Sequence, residues 1–97
     1  MKVGRVVGTV ISTIQHEAFD GRRLLLCDLL GPDGRPEGGY LICLDAVGAG
    51  AGEAVLIVDE GNSARQVVGL AEAPTRAVVV GIVDQMTVSG EVVLDEG

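Results

Sequence analysis

Three features of this chain predict an all-β fold, a five-stranded OB-like Greek-key barrel with one short helix and a C-terminal tail. Fifteen glycines among 97 residues cut the chain into short runs and argue against a helical bundle. The runs between them are rich in Val, Ile and Thr, which are stiff at χ1 and suit a pleated surface. Their connections are short, which demands mainly antiparallel pairing, and closing the sheet removes its exposed edges.

Residues 3–14 place apolar side chains at helical spacing, but Gly4 and Gly8 would each cost a helix about 1 kcal/mol relative to Ala. The run is also dominated by β-branched residues, so it is read as the first strand. Residues 15–21 form a polar loop that contains His16 and closes on Asp20-Gly21, and residues 22–30 form the second strand. Residues 31–39 gather glycines and prolines into a hairpin loop before a third strand at 40–47. A glycine corner at 48–52 leads to a fourth strand at 53–59. Asn62 or Ser63 caps a short helical turn through Val68 that Gly69 ends. Residues 77–84 are the fifth strand, with Asp84 pinning a turn. A tail follows from about residue 86, in which 91–94 adds a short edge strand. The whole of 1–97 reads as one domain, large enough to bury roughly 60–65% of its unfolded surface.

The formal net charge is −7, and Lys2 is the only lysine. Phe19 and Tyr40 are the only aromatic residues. A basic footprint and stacking platforms are therefore both missing, which excludes nucleic-acid binding, and an acidic membrane surface would repel the chain. No apolar run approaches the ~20 residues of a membrane span. The N-terminus lacks the layout of a secretory signal, and the cytoplasm is the expected location. Cys27 and Cys43 lack metal-ligand spacing and read as reduced, core-like thiols, so no metal site or cofactor is expected. A hairpin in which Leu30 faces Tyr40 places Cys27 directly opposite Cys43, with Cβ atoms about 4.5–5.5 Å apart.

The most informative segment runs from Asp45 to Arg65. The Gly48-Ala49-Gly50 glycines lead into a β-branched strand rather than a helix N-terminus, and no lysine follows, so a phosphate loop is disfavoured. The preferred reading is a strand-to-strand corner where the backbone closely approaches something, such as another subunit. Gly50 is the position assigned a left-handed or close-approach backbone. Asp45 and Glu53 flank the corner without a Ser, Cys or His nucleophile to use them, so no catalytic residues are expected. They cap backbone amides or pair with Arg65 of the same or a neighbouring subunit. For Ser63 and Arg65, a pore-lining role and a cap with a surface ion pair both stand.

From Met1 to about Gln85 the chain resembles the EutN/CcmL family of bacterial microcompartment vertex proteins. The first strand, Gly4-Arg-Val-Val-Gly-Thr-Val-Ile-Ser-Thr13, carries the start of the resemblance, and Leu24-Leu-Leu26 follows Asp20-Gly21. Leu44-Asp-Ala-Val-Gly-Ala-Gly-Ala-Gly-Glu53 is similar to the family's signature corner. Val55-Leu-Ile-Val58, Gly61-Asn-Ser-Ala-Arg65 and Val80-Gly-Ile-Val-Asp84 complete the pattern in order. The resemblance implies a structural protein, not an enzyme: a homopentamer at the vertices of a cytoplasmic polyhedral shell tiled by hexameric shell proteins. It makes Asp45, Gly48, Ala49, Gly50, Gly52, Glu53, Asn62, Ser63, Ala64 and Arg65 the candidates for a subunit interface or pore. The alternative is a small OB-type barrel that binds a small ligand or peptide.

Overall fold

The computed structural model describes residues 1–11, 23–59 and 77–97. Five strands close into a barrel: β1 (Lys2–Val10), β2 (Leu24–Leu30), β3 (Pro36–Asp45), β4 (Ala54–Val58) and β5 (Val78–Ile82). Around the barrel the order is β1-β2-β3-β5-β4, and β4 pairs back onto β1. Every pairing is antiparallel except β3 with β5, which is parallel. The predicted five-stranded OB-type barrel is therefore the observed one. The expected helical turn after residue 60, and the first-strand residues beyond 11, lie outside the described residues.

Period-two alternation sends Val6, Leu25, Cys27, Cys43, Val55, Ile57 and Val79 into one buried cluster. With so few aromatics, branched aliphatics and two thiols fill the lumen, and two strands must come close together. Gly4 is where they do. A β-carbon there would lie 2.8 Å from Ile57 Cδ1 and 2.9 Å from the Asp28 carbonyl oxygen.

The second hairpin differs from expectation at both ends of β3. The turn is confined to 31–35, closed by Gly31 N to Arg35 O at 2.8 Å and Gly34 N to Gly31 O at 2.9 Å. The strand begins at Pro36 rather than at 40, because proline is tolerated as the first residue of a strand. The pairing then jumps from Leu30↔Pro36 to Asp28↔Tyr40, so three β3 residues oppose Leu29 alone and Gly38-Gly39 sit in a bulge. The strand also stops at Asp45, not at 47.

This bulge corrects the expected register. Cys27 lies opposite Leu41 and Cys43 opposite Leu25, two positions away from a direct Cys27–Cys43 pair. A shift of two preserves the face of every side chain, so both thiols still point inward and both are fully buried. They share a hydrogen bond, which together with burial raises the Cys43 thiol above its ordinary range. Both remain free thiols.

After the barrel the chain forms a hairpin, β6 (Gln85–Val88) and β7 (Glu91–Asp95), instead of a tail with one edge strand. Ser89 and Gly90 both take positive φ at its tip (53° and 82°), the conformation of a two-residue hairpin turn. Leu94 is buried against Leu30 and Ala54, with Val3, Val83 and Met86 packed around them. Glu96 N donates to Asp84 O at 2.8 Å and closes the base. The turn at 31–35 rests on β7, where a β-carbon on Gly34 would run into the Val93 carbonyl oxygen.

Candidate functional site

The glycine corner, residues 46–53, crosses the mouth of the barrel. It leaves β3 with Ala46 N bonded to Val79 O of β5 at 3.2 Å. It arrives beside β1, where Gly52 N donates to Val6 O at 2.7 Å and Val6 N to Glu53 O at 2.9 Å. β5 and β1 are not neighbours in the barrel, so the segment spans the opening. Ala49, fully buried and part of the main core cluster, plugs it. The glycines themselves make no close approach within the subunit: a β-carbon on Gly48 or Gly52 would meet nothing within 4 Å and one on Gly50 only Glu53 Oε1 at 3.4 Å, and it is Ala49 that packs into the barrel.

Asp45 organises the corner. Its Oδ1 accepts from the amides of Val47 (3.1 Å), Gly48 (2.9 Å) and Ala49 (3.2 Å), which ends β3 by taking the amides that would continue it. Its Oδ2 accepts from Arg23 Nη2 at 3.0 Å, and the same nitrogen donates to Ala49 O at 2.6 Å. Burial of Asp45 favours the neutral acid, but the amides of Val47 and Ala49, the Arg23 guanidinium and the amide of Gly48 outweigh it. The carboxyl is held below its ordinary value. Glu53 Oε1 accepts from Gly50 N at 2.6 Å. At the far end Arg5 Nη1 donates to Gly52 O at 2.8 Å and pairs with Glu96 of the hairpin.

These contacts answer the sequence readings one by one. Asp45 and Glu53 do cap amides, and the arginine on Asp45 is Arg23. Arg65, like Asn62, Ser63 and Ala64, lies outside the described residues. The amides from Val47 to Gly50, which would form an anion nest, are already occupied by the chain's own carboxylates. Gly50 does not take a positive φ. The left-handed positions are Gly48 (78°) and Gly52 (88°), where a side chain would have room but the backbone would be strained. Arg5 and Arg23 escaped the sequence reading because their partners stand 47 and 22 residues away, and no local pattern links them.

Among the described residues no group of three or more His, Cys, Asp or Glu side chains is placed to hold a metal ion. A cleft of about 260 Å³ lies at the N-terminal end of β1, lined by Met1, Val3, Leu29, Leu30, Pro32 and Met86 among others. Lys2 and Glu37 are the charged side chains of an otherwise mostly apolar lining.

A lumen-filled OB-type barrel with a pinned glycine corner places the chain among small closed-barrel β proteins, a class that fold alone does not tie to one function. The sequence profile described as "Ethanolamine utilisation protein EutN/carboxysome" matches residues 1–84, and the chain belongs to this family. The chain is 37% identical over 93 residues to the bacterial microcompartment shell vertex protein EutN of Escherichia coli, covering 96% of this chain and 97% of that protein. It is 42% identical over 88 residues to the carboxysome shell vertex protein CcmL of Gloeobacter violaceus, covering 91% and 87%. The structure of the Gloeobacter CcmL superposes with a TM-score of 0.87 at 38% identity over 99% of this chain and 98% of that one. The pentameric microcompartment shell protein GrpN of Rhodospirillum rubrum superposes with a TM-score of 0.78 at 40% identity, over 91% and 100%.

Proposed function

We propose that this chain is a structural protein, without catalytic activity, that forms a homopentamer and caps the vertices of a polyhedral bacterial microcompartment shell in the cytoplasm. The observation that carries this reading is near-full-length similarity to proteins described as shell vertex proteins, one of them pentameric. A cyclic head-to-tail contact closes into a ring when the rotation per subunit fits. A flat hexagonal layer needs fivefold points to close, which makes hexameric shell proteins the expected partners. The corner residues Asp45, Gly48, Ala49, Gly50, Gly52 and Glu53, together with Asn62, Ser63, Ala64 and Arg65, remain the proposed interface or pore elements. Asp45, Ala49 and Glu53 act by holding the corner's shape, and the exposed Ala46–Gly48 backbone is what a neighbour would meet.

Two measurements test the proposal. Native mass spectrometry at micromolar concentration should give five copies, and a stable monomer or dimer would overturn it. Co-expression with hexameric shell proteins should give closed shells that admit a large fluorescent probe when this chain is omitted. Shells equally closed without any pentamer would defeat the vertex role.

A further inference from the structure

The two edges of the C-terminal hairpin are not alike. β7 is kinked and covered: Val93 is left out between the pairs Met86↔Leu94 and Thr87↔Val92, and the 31–35 turn sits against its carbonyl. β6 is open. The two-residue turn makes Val88↔Glu91 a hydrogen-bonded pair, and the bond from Glu96 N to Asp84 O fixes the same phase at the base. Alternation along an antiparallel ladder then turns the N–H and C=O of Gln85 and Thr87 away from β7. Among the described residues, no other strand or loop hydrogen-bonds to them. Strand edges are usually guarded by a proline, a bulge or a charge. The β6 sequence Gln85–Val88 carries no proline, no extra residue and no charged side chain.

Beside this strand lies the cleft of about 260 Å³, in which Met86 is the one hairpin residue of the lining. The cleft is smaller than the ~300–1,000 Å³ of drug-sized ligand sites and mostly apolar, which suits an inserted side chain better than a whole ligand. The surrounding charge fixes the sign of the partner. Residues 84–97 hold Asp84, Glu91, Asp95 and Glu96 and no Lys, Arg or His. Glu96 pairs with Arg5, while Asp84, Glu91, Asp95 and the cleft's Glu37 enter no ion pair among the described residues. We propose that the outer edge of β6 docks an extended, basic segment of another protein, which adds a third strand to the hairpin and sets an apolar side chain in the cleft beside Met86. A second copy would bring the same acidic hairpin to the edge, and nucleic acid or an acidic lipid surface would bring more negative charge. Strand addition draws affinity from the main chain and specificity from alternate side chains. It also gives the hairpin a third strand, without which a two-stranded pair is marginal in water. The inference stands apart from the pentamer reading, which native mass spectrometry decides.

The probe is a fluorescein-labelled peptide, Lys-Val-Thr-Leu-Lys-Val-Thr-Lys, added to the intact protein. Its anisotropy should rise saturably, and hydrogen exchange at the Gln85 and Thr87 amides should slow several-fold while β1 to β5 stay unchanged. N-methylating the peptide amides that face β6 should weaken binding about tenfold or more. Thr87→Pro should do the same, since it removes an outward N–H at an edge position where proline is tolerated. Melting curves show whether Thr87→Pro folds, and if it does not, the N-methylated peptide decides. Replacing the peptide lysines by Glu should abolish binding. No saturable binding up to about 1 mM peptide overturns the site. Binding that ignores N-methylation and vanishes in high salt overturns it as ionic adsorption. Equal binding of the Glu peptide overturns the basic partner. A Thr87 amide already protected without peptide overturns it too, since another copy would then hold the edge.

Discussion

The barrel and the C-terminal hairpin are built from the same kinds of residue and hold their shape by different means. In the barrel each strand has two hydrogen-bonded neighbours, and the inward side chains of five strands share one core. The β6–β7 hairpin has a single strand pair and one buried large side chain, Leu94. An isolated two-stranded hairpin is marginal in water, so this one depends on docking. The docking contacts are Leu94 against Leu30 and Ala54, the Arg5–Glu96 pair and the seat of the 31–35 turn on Val93. Arg5 belongs to both regions at once, since it also holds Gly52 of the corner. Closure makes the barrel's stability cooperative, whereas the hairpin's is local and borrowed.

Substitutions graded by depth should expose that difference. Ile57→Ala, in the fully buried lumen, should cost about 2–5 kcal/mol and lower the urea midpoint of the whole molecule in one transition. Separate transitions among the strands β1 to β5 would show that the core is not shared as described. Asp45→Asn should cost about 1.5–3 kcal/mol by weakening hydrogen bonds to a buried charge. Its pH dependence has a definite sign. The folded Asp45 carboxyl lies below its unfolded value, so its contribution is present above the ordinary carboxylate value of about 3.9 and is lost as pH falls through the depressed folded value. An acid titration of stability should show this loss in the parent and not in Asp45→Asn.

Leu94→Ala should cost about 1–2 kcal/mol, with the effect confined to the hairpin. Hydrogen exchange should speed up in 85–96 while the amides of β1 to β5 stay protected. Uniform loss of protection would mean that the hairpin is part of the barrel's cooperative unit. The smallest effect belongs to Glu96→Gln at the junction. Both partners are partly exposed (31% and 25%), so about 0.5 kcal/mol is expected, shrinking in high salt.

Strand identity was legible wherever β-branched runs lay between glycine-rich turns, as in β1, β2 and β4. It was least legible at β3, where Pro36, Gly38 and Gly39 look like loop and turn out to be a strand with a bulge. The tail looked weak because Gln85–Val88 carries little apolar signal, and it becomes a strand only because Glu91–Asp95 folds back onto it. At the site, the sequence showed that Asp45 and Glu53 serve the backbone. It did not show Arg23 or Arg5, which the barrel brings to the corner from distant positions.

By itself, the sequence determined an all-β barrel, the faces of its strands and its place in the EutN/CcmL family. Alternation with period two says which side chains point inward, and glycine punctuation says where strands must turn. Only the tertiary structure decided the register, the use of the corner and the docking of the hairpin. A two-residue slip between Cys27 and Cys43 leaves every side chain on its own face, so the hydrophobic pattern is blind to it and the bulge at Gly38-Gly39 decides. Likewise, the glycines mark a turn without saying what fills the space beneath it. Ala49 fills it, buried in the core, with Asp45 and Arg23 closing over it from positions that only the closed barrel brings together.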